Sequence, residues 1–188
     1  MVGSLVPIYS GRGDIMKYNK SKILLLFMIV IVGASCDLST KWLADRYLQW
    51  SAPVSIVKNI VELRYTENEA IAFSMLHSVH PGTRKWIIYS LSSMALIFLV
   101  LLIWQVRKDS IWWLVALMLI LSGALGNLSE RIFRGYVIDF IHLRYYDSFS
   151  WPIFNVADIL ITCGGILLAI LMLRKDPKRS VLVSNLSN

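Results

Sequence analysis

The chain has 188 residues, 56% hydrophobic and only 16% charged, with a mean hydropathy of +0.60, a balance that excludes an ordinary soluble domain. The length suits one domain with no separate soluble module, and the net charge of +7 fits a membrane with anionic lipid better than nucleic acid. Cys36 and Cys163, the two cysteines, both fall in apolar segments, which argues against a disulfide framework.

Residues 1–15 are mixed and irregular. They read as a cloning-derived leader or an overlong start, because Met16 opens MKYNKSKILLL like a natural beginning. The single membrane domain is assigned to 16–173, and 174–188 to a loose cytoplasmic tail. The first membrane-length stretch runs from Lys22 to about Leu43. Lys17 to Cys36 also looks like a lipoprotein signal peptide. Gly33 stands where that signal needs a large aliphatic residue, and three later spans argue against a soluble product.

Ala44 to Lys85 forms the first long connection. Val61, Leu63 and Tyr65 alternate with Glu62, Arg64 and Thr66, and that period of two predicts a half-buried strand. A small β-sheet on the outer membrane surface follows. The second span runs from about Trp86 to Val106 and the third from about Ile111 to Leu128, with small residues at Gly123, Ala124 and Gly126 that let another helix approach. Ser129 to Pro152 forms the second long connection, and the fourth span covers about Ile153 to Leu173. The fold expected is therefore mainly α: a polytopic membrane protein with four transmembrane helices and a small extracytoplasmic β-sheet.

Basic residues flank one side of this arrangement: Lys17, Lys20 and Lys22; Arg107 and Lys108; Arg174, Lys175, Lys178 and Arg179. The positive-inside rule places both termini in the cytoplasm. Trp42, Trp50, Trp86 and Trp151 lie near the outer boundaries, as an aromatic belt would.

Two acids stand out at that outer side. Asp158 lies in WPIFNVADILIT and Asp139 in VIDFIHL. A carboxylate at the edge of hydrocarbon is expensive and marks a functional position by default. Two that flank one membrane boundary suggest a pair sharing a proton, the chemistry of an aspartyl protease. Each has a plainer explanation. Asn155 and Asp158 share a helical face, extended by Thr162 and Gly165, and either could cap a helix start. Capping suits Asn155 better, because Asp158 lies a turn deeper. Asp139 alone could be a turn residue or a partner of Arg134 or Arg144.

The remaining polar residues are less specific. Asn127 and Arg131 share one face of the third helix, and Gly126 and Glu130 share the adjacent one. Asp37 and Lys41 read as an ion pair near the outer interface, acid first. Asn68 is a loop amide. His77, His80 and His142 make no convincing metal set, and no serine stands in a nucleophile elbow. A proton-coupled transporter or a noncatalytic scaffold are the alternatives. Acids clustered at the outer ends without an internal repeat argue against the first.

Taken together the segments resemble the bacterial lipoprotein signal peptidases (signal peptidase II). The likeness rests on Asp37-Leu-Ser-Thr-Lys41, Asn68-Glu-Ala-Ile-Ala-Phe-Ser74, Gly123-Ala-Leu-Gly-Asn127 through Arg131, Val137-Ile-Asp139-Phe and Phe154-Asn-Val-Ala-Asp158, in that order. The resemblance implies an aspartyl endopeptidase of the bacterial inner membrane, with a catalytic dyad of Asp139 and Asp158 near the outer leaflet. Asn127 and Asn155 would support the dyad, and Asp37, Lys41, Asn68 and Arg131 would hold its surroundings. The implied substrate is a prolipoprotein carrying diacylglycerol on a cysteine and cut just before it. Membrane lipid and globomycin-type inhibitors are the other implied partners, and no cofactor is implied. Glu130 replaces the family's usual Asp and Ala70 its usual Gly.

Overall fold

The computed structural model describes residues 20–69, 80–107 and 110–174. The expectations for residues 1–15, Lys17, Ala70, Phe73, Ser74, His77, Lys108 and the tail beyond Arg174 lie outside the described residues. Four helices are long and apolar enough to cross a membrane. They are α1 (Lys20–Leu48), α2 (Pro81–Val106, apolar from Trp86), α3 (Ile111–Phe133) and α4 (Val156–Leu173). Four strands complete the chain: β1 (Val54–Val57), β2 (Val61–Asn68), β3 (Val137–Tyr145) and β4 (Phe149–Ser150).

Helix α3 is the centre of the bundle. It packs against α1, α2 and α4, and 39% of its apolar window is buried against protein, compared with 6–11% for the other three. The outer faces of those three carry Leu24, Phe27, Ile97, Phe98, Leu101 and Ile170, all exposed. In lipid such faces are solvated by acyl chains, so they need no protein partner. Gly123 lets α4 come close: a side chain there would collide with the Ala157 carbonyl oxygen. Trp42, Trp50, Trp86 and Trp151 are all exposed.

The strands form one antiparallel sheet in the order β1-β2-β3-β4, with β2 and β3 in register at Leu63↔Ile141, Thr66↔Asp139 and Asn68↔Val137. The alternating segment is therefore a strand, as its period predicts. Ile138 and Phe140 of β3 pack on Ala44 of α1, with Leu48, Tyr65 and Val156 around them. Gly135, at φ +86°, follows α3 and turns the chain into β3, a conformation natural only to glycine.

The helices run longer than hydropathy alone indicates. α1 reaches Leu48 and α3 reaches Phe133, and polar residues toward their ends, Lys41 of α1 with Asn127 and Glu130 of α3, are buried against one another. α4 starts later than expected, at Val156. Residues through Phe154 stay extended instead, and Phe154 bridges Ile141 of β3 through backbone hydrogen bonds of 2.8–3.0 Å.

Candidate active site

That bridge sets Asn155 beside Asp139. Asn155 is the N-cap of α4, and its side chain accepts from the Asp158 backbone N–H at 3.0 Å. Asp158 returns the contact: its Oδ2 accepts from the Asn155 backbone N–H at 3.1 Å. This is a reciprocal capping box. The capping explanation therefore applies to both residues, including Asp158. It occupies only one oxygen of Asp158, and Oδ1 accepts from the Asn127 side-chain amide at 3.0 Å.

Asp139 is 4% exposed. Its Oδ1 accepts from Asn155 Nδ2 at 2.6 Å and its Oδ2 from Asn68 Nδ2 at 2.8 Å. Arg134 pairs instead with Asp45 at 2.7 Å, and Arg144 with Glu62 and Asp147, so neither arginine explains Asp139. Loss of water on burial pushes the Asp139 carboxyl up to about 6. The Asn68 hydrogen bond opposes that shift, the charge of Asp158 adds to it, and Asn155 and Lys41 oppose it. Asn68 is thus a direct partner of Asp139 at the end of β2, not a bland loop amide.

Asp37 and Lys41 form an ion pair of 2.8 Å, as their spacing predicts, but at 0% and 1% exposure it is buried and not a surface feature. Asp37 Oδ1 accepts from the Ala157 backbone N–H at 2.8 Å and so grips the first turn of α4. Its other oxygen occupies the space left by Gly126, which has no side chain. Lys41 donates to Asn127 Oδ1 at 2.8 Å and lies 3.2 Å from Glu130 Oε2.

Glu130, which replaces the family's usual Asp, proves central to the scaffold: buried, it accepts from the Ile138 backbone N–H at 2.9 Å, immediately before Asp139. Its advance signals were its place on the face of Gly126 and its substitution for the family's usual Asp. Arg131 lies within electrostatic reach of Asp139, Asp158 and Glu130, and its carbonyl accepts from Tyr89 of α2 at 2.6 Å. A cavity of about 480 Å³ opens between α2, α3 and α4, lined by Leu99, Leu117, Ala124, Ile161, Asn127 and Arg131. Apolar along its length, it ends at the polar network. Thr162 and Gly165 do not continue the polar strip: Gly164 is the glycine packed on α3, and Gly165 has open space around it.

His142 is bound to Ser150 at 2.8 Å and lies 3.4 Å from Glu62, a local contact of the sheet. Among the described residues no three His, Cys, Asp or Glu side chains gather as metal ligands would. The arrangement supplies paired carboxyls, each held by amide donors, where an apolar cavity meets a polar network.

Four membrane-length helices around a central one, capped by a small sheet, make this a multi-pass membrane protein with a buried carboxylate–amide site. Its residues 28–174 match the family described as Signal peptidase (SPase) II, and the chain belongs to that family of peptidases. It is 37% identical to the lipoprotein signal peptidase of Rhodococcus jostii (strain RHA1), covering 87% of this chain and 80% of that protein. The lipoprotein signal peptidase of Francisella tularensis subsp. novicida (strain U112) is also 37% identical, over 76% of this chain and 87% of its own. A bacterial membrane enzyme structure determined in meso at 2.3 Å superposes with a TM-score of 0.64 at 27% identity, covering 83% of this chain and 89% of that one. A second, at 1.9 Å, gives a TM-score of 0.61 at 26% identity, covering 85% and 96%.

Proposed function

We propose that this peptidase is an aspartyl endopeptidase of the bacterial cytoplasmic (inner) membrane that removes signal peptides from diacylglyceryl-modified prolipoproteins, cutting just before the lipidated cysteine. Both termini lie in the cytoplasm, and Asp139 and Asp158 act near the outer leaflet. The observation that carries this reading is the double use of Asn155, whose side chain binds one aspartate at 2.6 Å and whose backbone binds the other at 3.1 Å.

Two neighbouring carboxyls do not both ionise easily, so the pair holds one proton between them. Burial raises the Asp139 carboxyl, which favours its protonated form. The protonated acid polarises the scissile carbonyl and then protonates the departing amine. The ionised partner takes a proton from the attacking water. Asn127 or Asn155 steadies the developing oxyanion. Acyl chains of the substrate lie along the lipid-facing cavity and place the peptide at the depth of the pair. Asn68, Arg131, Asp37 and Lys41 support the site. Globomycin-type inhibitors compete for the same place.

The test is cleavage of a lipid-modified prolipoprotein peptide in detergent. Asp139→Asn and Asp158→Asn should each lower turnover by about a thousandfold or more while the protein remains inserted. Globomycin should block the parent activity. Substantial turnover by either variant would overturn the dyad.

A further inference from the structure

The environment of Lys41 is more specific than an ion pair requires. Its ammonium is 1% exposed and sits among three oxygens: Asp37 Oδ2 at 2.8 Å, Asn127 Oδ1 at 2.8 Å and Glu130 Oε2 at 3.2 Å. An ammonium carries three N–H donors and no acceptor. Only the oxygen end of the Asn127 amide can therefore face it. Asn155 Nδ2 donates to the same oxygen at 3.2 Å, which excludes the reversed amide from the second side. The NH₂ end of Asn127 is left pointing at Asp158 Oδ1, 3.0 Å away.

We propose that Lys41 is a positioning residue for the peptidase reaction: by donating to Asn127 Oδ1 it fixes which end of that amide faces Asp158, so that Asp158 always meets a donor. Asp37 and Glu130 hold Lys41 in place for this task. Formal charges of −1 on each of them and +1 on Lys41 leave the cluster at −1. Without the lysine N–H, only the longer Asn155 bond of 3.2 Å still holds the Asn127 oxygen, and the amide is less firmly kept from turning that oxygen toward the carboxylate, a repulsive contact that takes away the donor. The inference rests on the aspartyl reading above and deepens it. The two fail separately, because the variants below leave both aspartates intact.

The test uses full-length enzyme in detergent with the lipid-modified peptide. Lys41→Met with Glu130→Gln removes the donor and keeps the cluster charge at −1. Lys41→Gln with Glu130→Gln has the same charge and keeps an N–H donor. The methionine variant should lose about 10- to 100-fold in kcat, the worth of one hydrogen bond to a charged group, with KM changed by no more than about twofold. The glutamine variant should stay within about fivefold of the parent. In an Asn127→Leu background, the methionine variant should cost almost nothing further, because Lys41 acts through that amide. Equal losses in the methionine and glutamine variants would overturn the proposal, as would an undiminished loss on top of Asn127→Leu or a methionine variant as fast as the parent. Should the methionine variant not be recovered folded, the glutamine variant decides alone. Near-parental kcat supports the proposal, and a loss of about a hundredfold overturns it.

Discussion

Asn155 donates its side-chain amide to Asp139 at 2.6 Å and exchanges backbone–side-chain hydrogen bonds with Asp158 as the N-cap of α4. In the proposed mechanism capping and support of the dyad thus meet in one residue, and they can be separated. Serine is as good a cap as asparagine, but its hydroxyl is too short to cap and also reach β3. Asn155→Ser should therefore keep the cap, cost about 1–3 kcal/mol of stability because the buried Asp139 and Asn127 oxygens each lose a donor, and lower kcat about 10- to 100-fold through the lost donor to Asp139. Thermal melts beside steady-state kinetics check both halves. A rate loss no larger than the fraction unfolded at the assay temperature would show that Asn155 serves structure alone.

Asp139 also leaves a mark on stability. Its ordinary carboxyl value is 3.8, and burial in the folded protein raises it to about 6. The folded state then binds the proton more tightly than the unfolded one. The associated stability is fully present below pH 3.8 and declines as pH rises through about 6. The melting temperature should fall across that window in the parent, and the fall should flatten in Asp139→Asn, which has nothing to titrate there. The comparison concerns slope and not absolute stability, since an asparagine at 139 would face the amide donors of Asn68 and Asn155. An unchanged slope would remove Asp139 as its source.

Much of the fold was legible because lipid imposes simple rules. Four apolar runs became four helices, and the alternation from Val61 to Tyr65 became β2. Helix ends were less legible. Hydropathy stops at the edge of the hydrocarbon, whereas α1 and α3 continue through polar turns whose partners are distant in sequence, as Lys41 and Asn127 show. Asp37 and Lys41 were visible as a pair by spacing, but their burial was not, since it depends on α3 and α4 closing over them. Asn68 looked ordinary because its partner, Asp139, lies 71 positions away across the β2–β3 register. Glu130 was visible as a replacement for the family's usual Asp, but its grip on the Ile138 backbone has no sequence signature.

Gly164 and Gly165 show how far periodicity reads a helix face. Spacing from Asn155 and Asp158 pointed to Gly165, yet Asn155 is a cap outside the helix, and the contact face falls one residue earlier. A side chain at Gly164 would come within 2.6 Å of the Ala116 carbonyl oxygen and 2.7 Å of Ile120 Cγ1, whereas Gly165 has nothing within 4 Å. Gly164→Ala should therefore destabilise the α3–α4 contact by about 1–3 kcal/mol and lower the melting temperature. Gly165→Ala should be neutral or slightly stabilising, up to about 1 kcal/mol, because alanine favours helix. Equal effects at both positions would contradict the packing of α4 on α3.

The last prediction tests whether the proton on Asp139 matters for turnover. In the proposed mechanism the pair must retain one proton, and the Asp139 carboxyl at about 6 is the group that releases it. Turnover should decline on the alkaline side with an apparent midpoint near that value. Asn68 Nδ2 donates to Asp139 Oδ2 at 2.8 Å, and such a bond favours the ionised form. In Asn68→Ala that support is gone and the protonated form gains. The sign is therefore upward: the alkaline limb of kcat/KM should move to higher pH, by about one unit at most. A residue that merely held β2 against β3 would lower the rate at every pH and leave the midpoint in place. Profiles from pH 5 to pH 9 on the lipid-modified peptide distinguish the two. A limb that stays put, or moves to lower pH, would sever Asp139 from the proton the reaction needs.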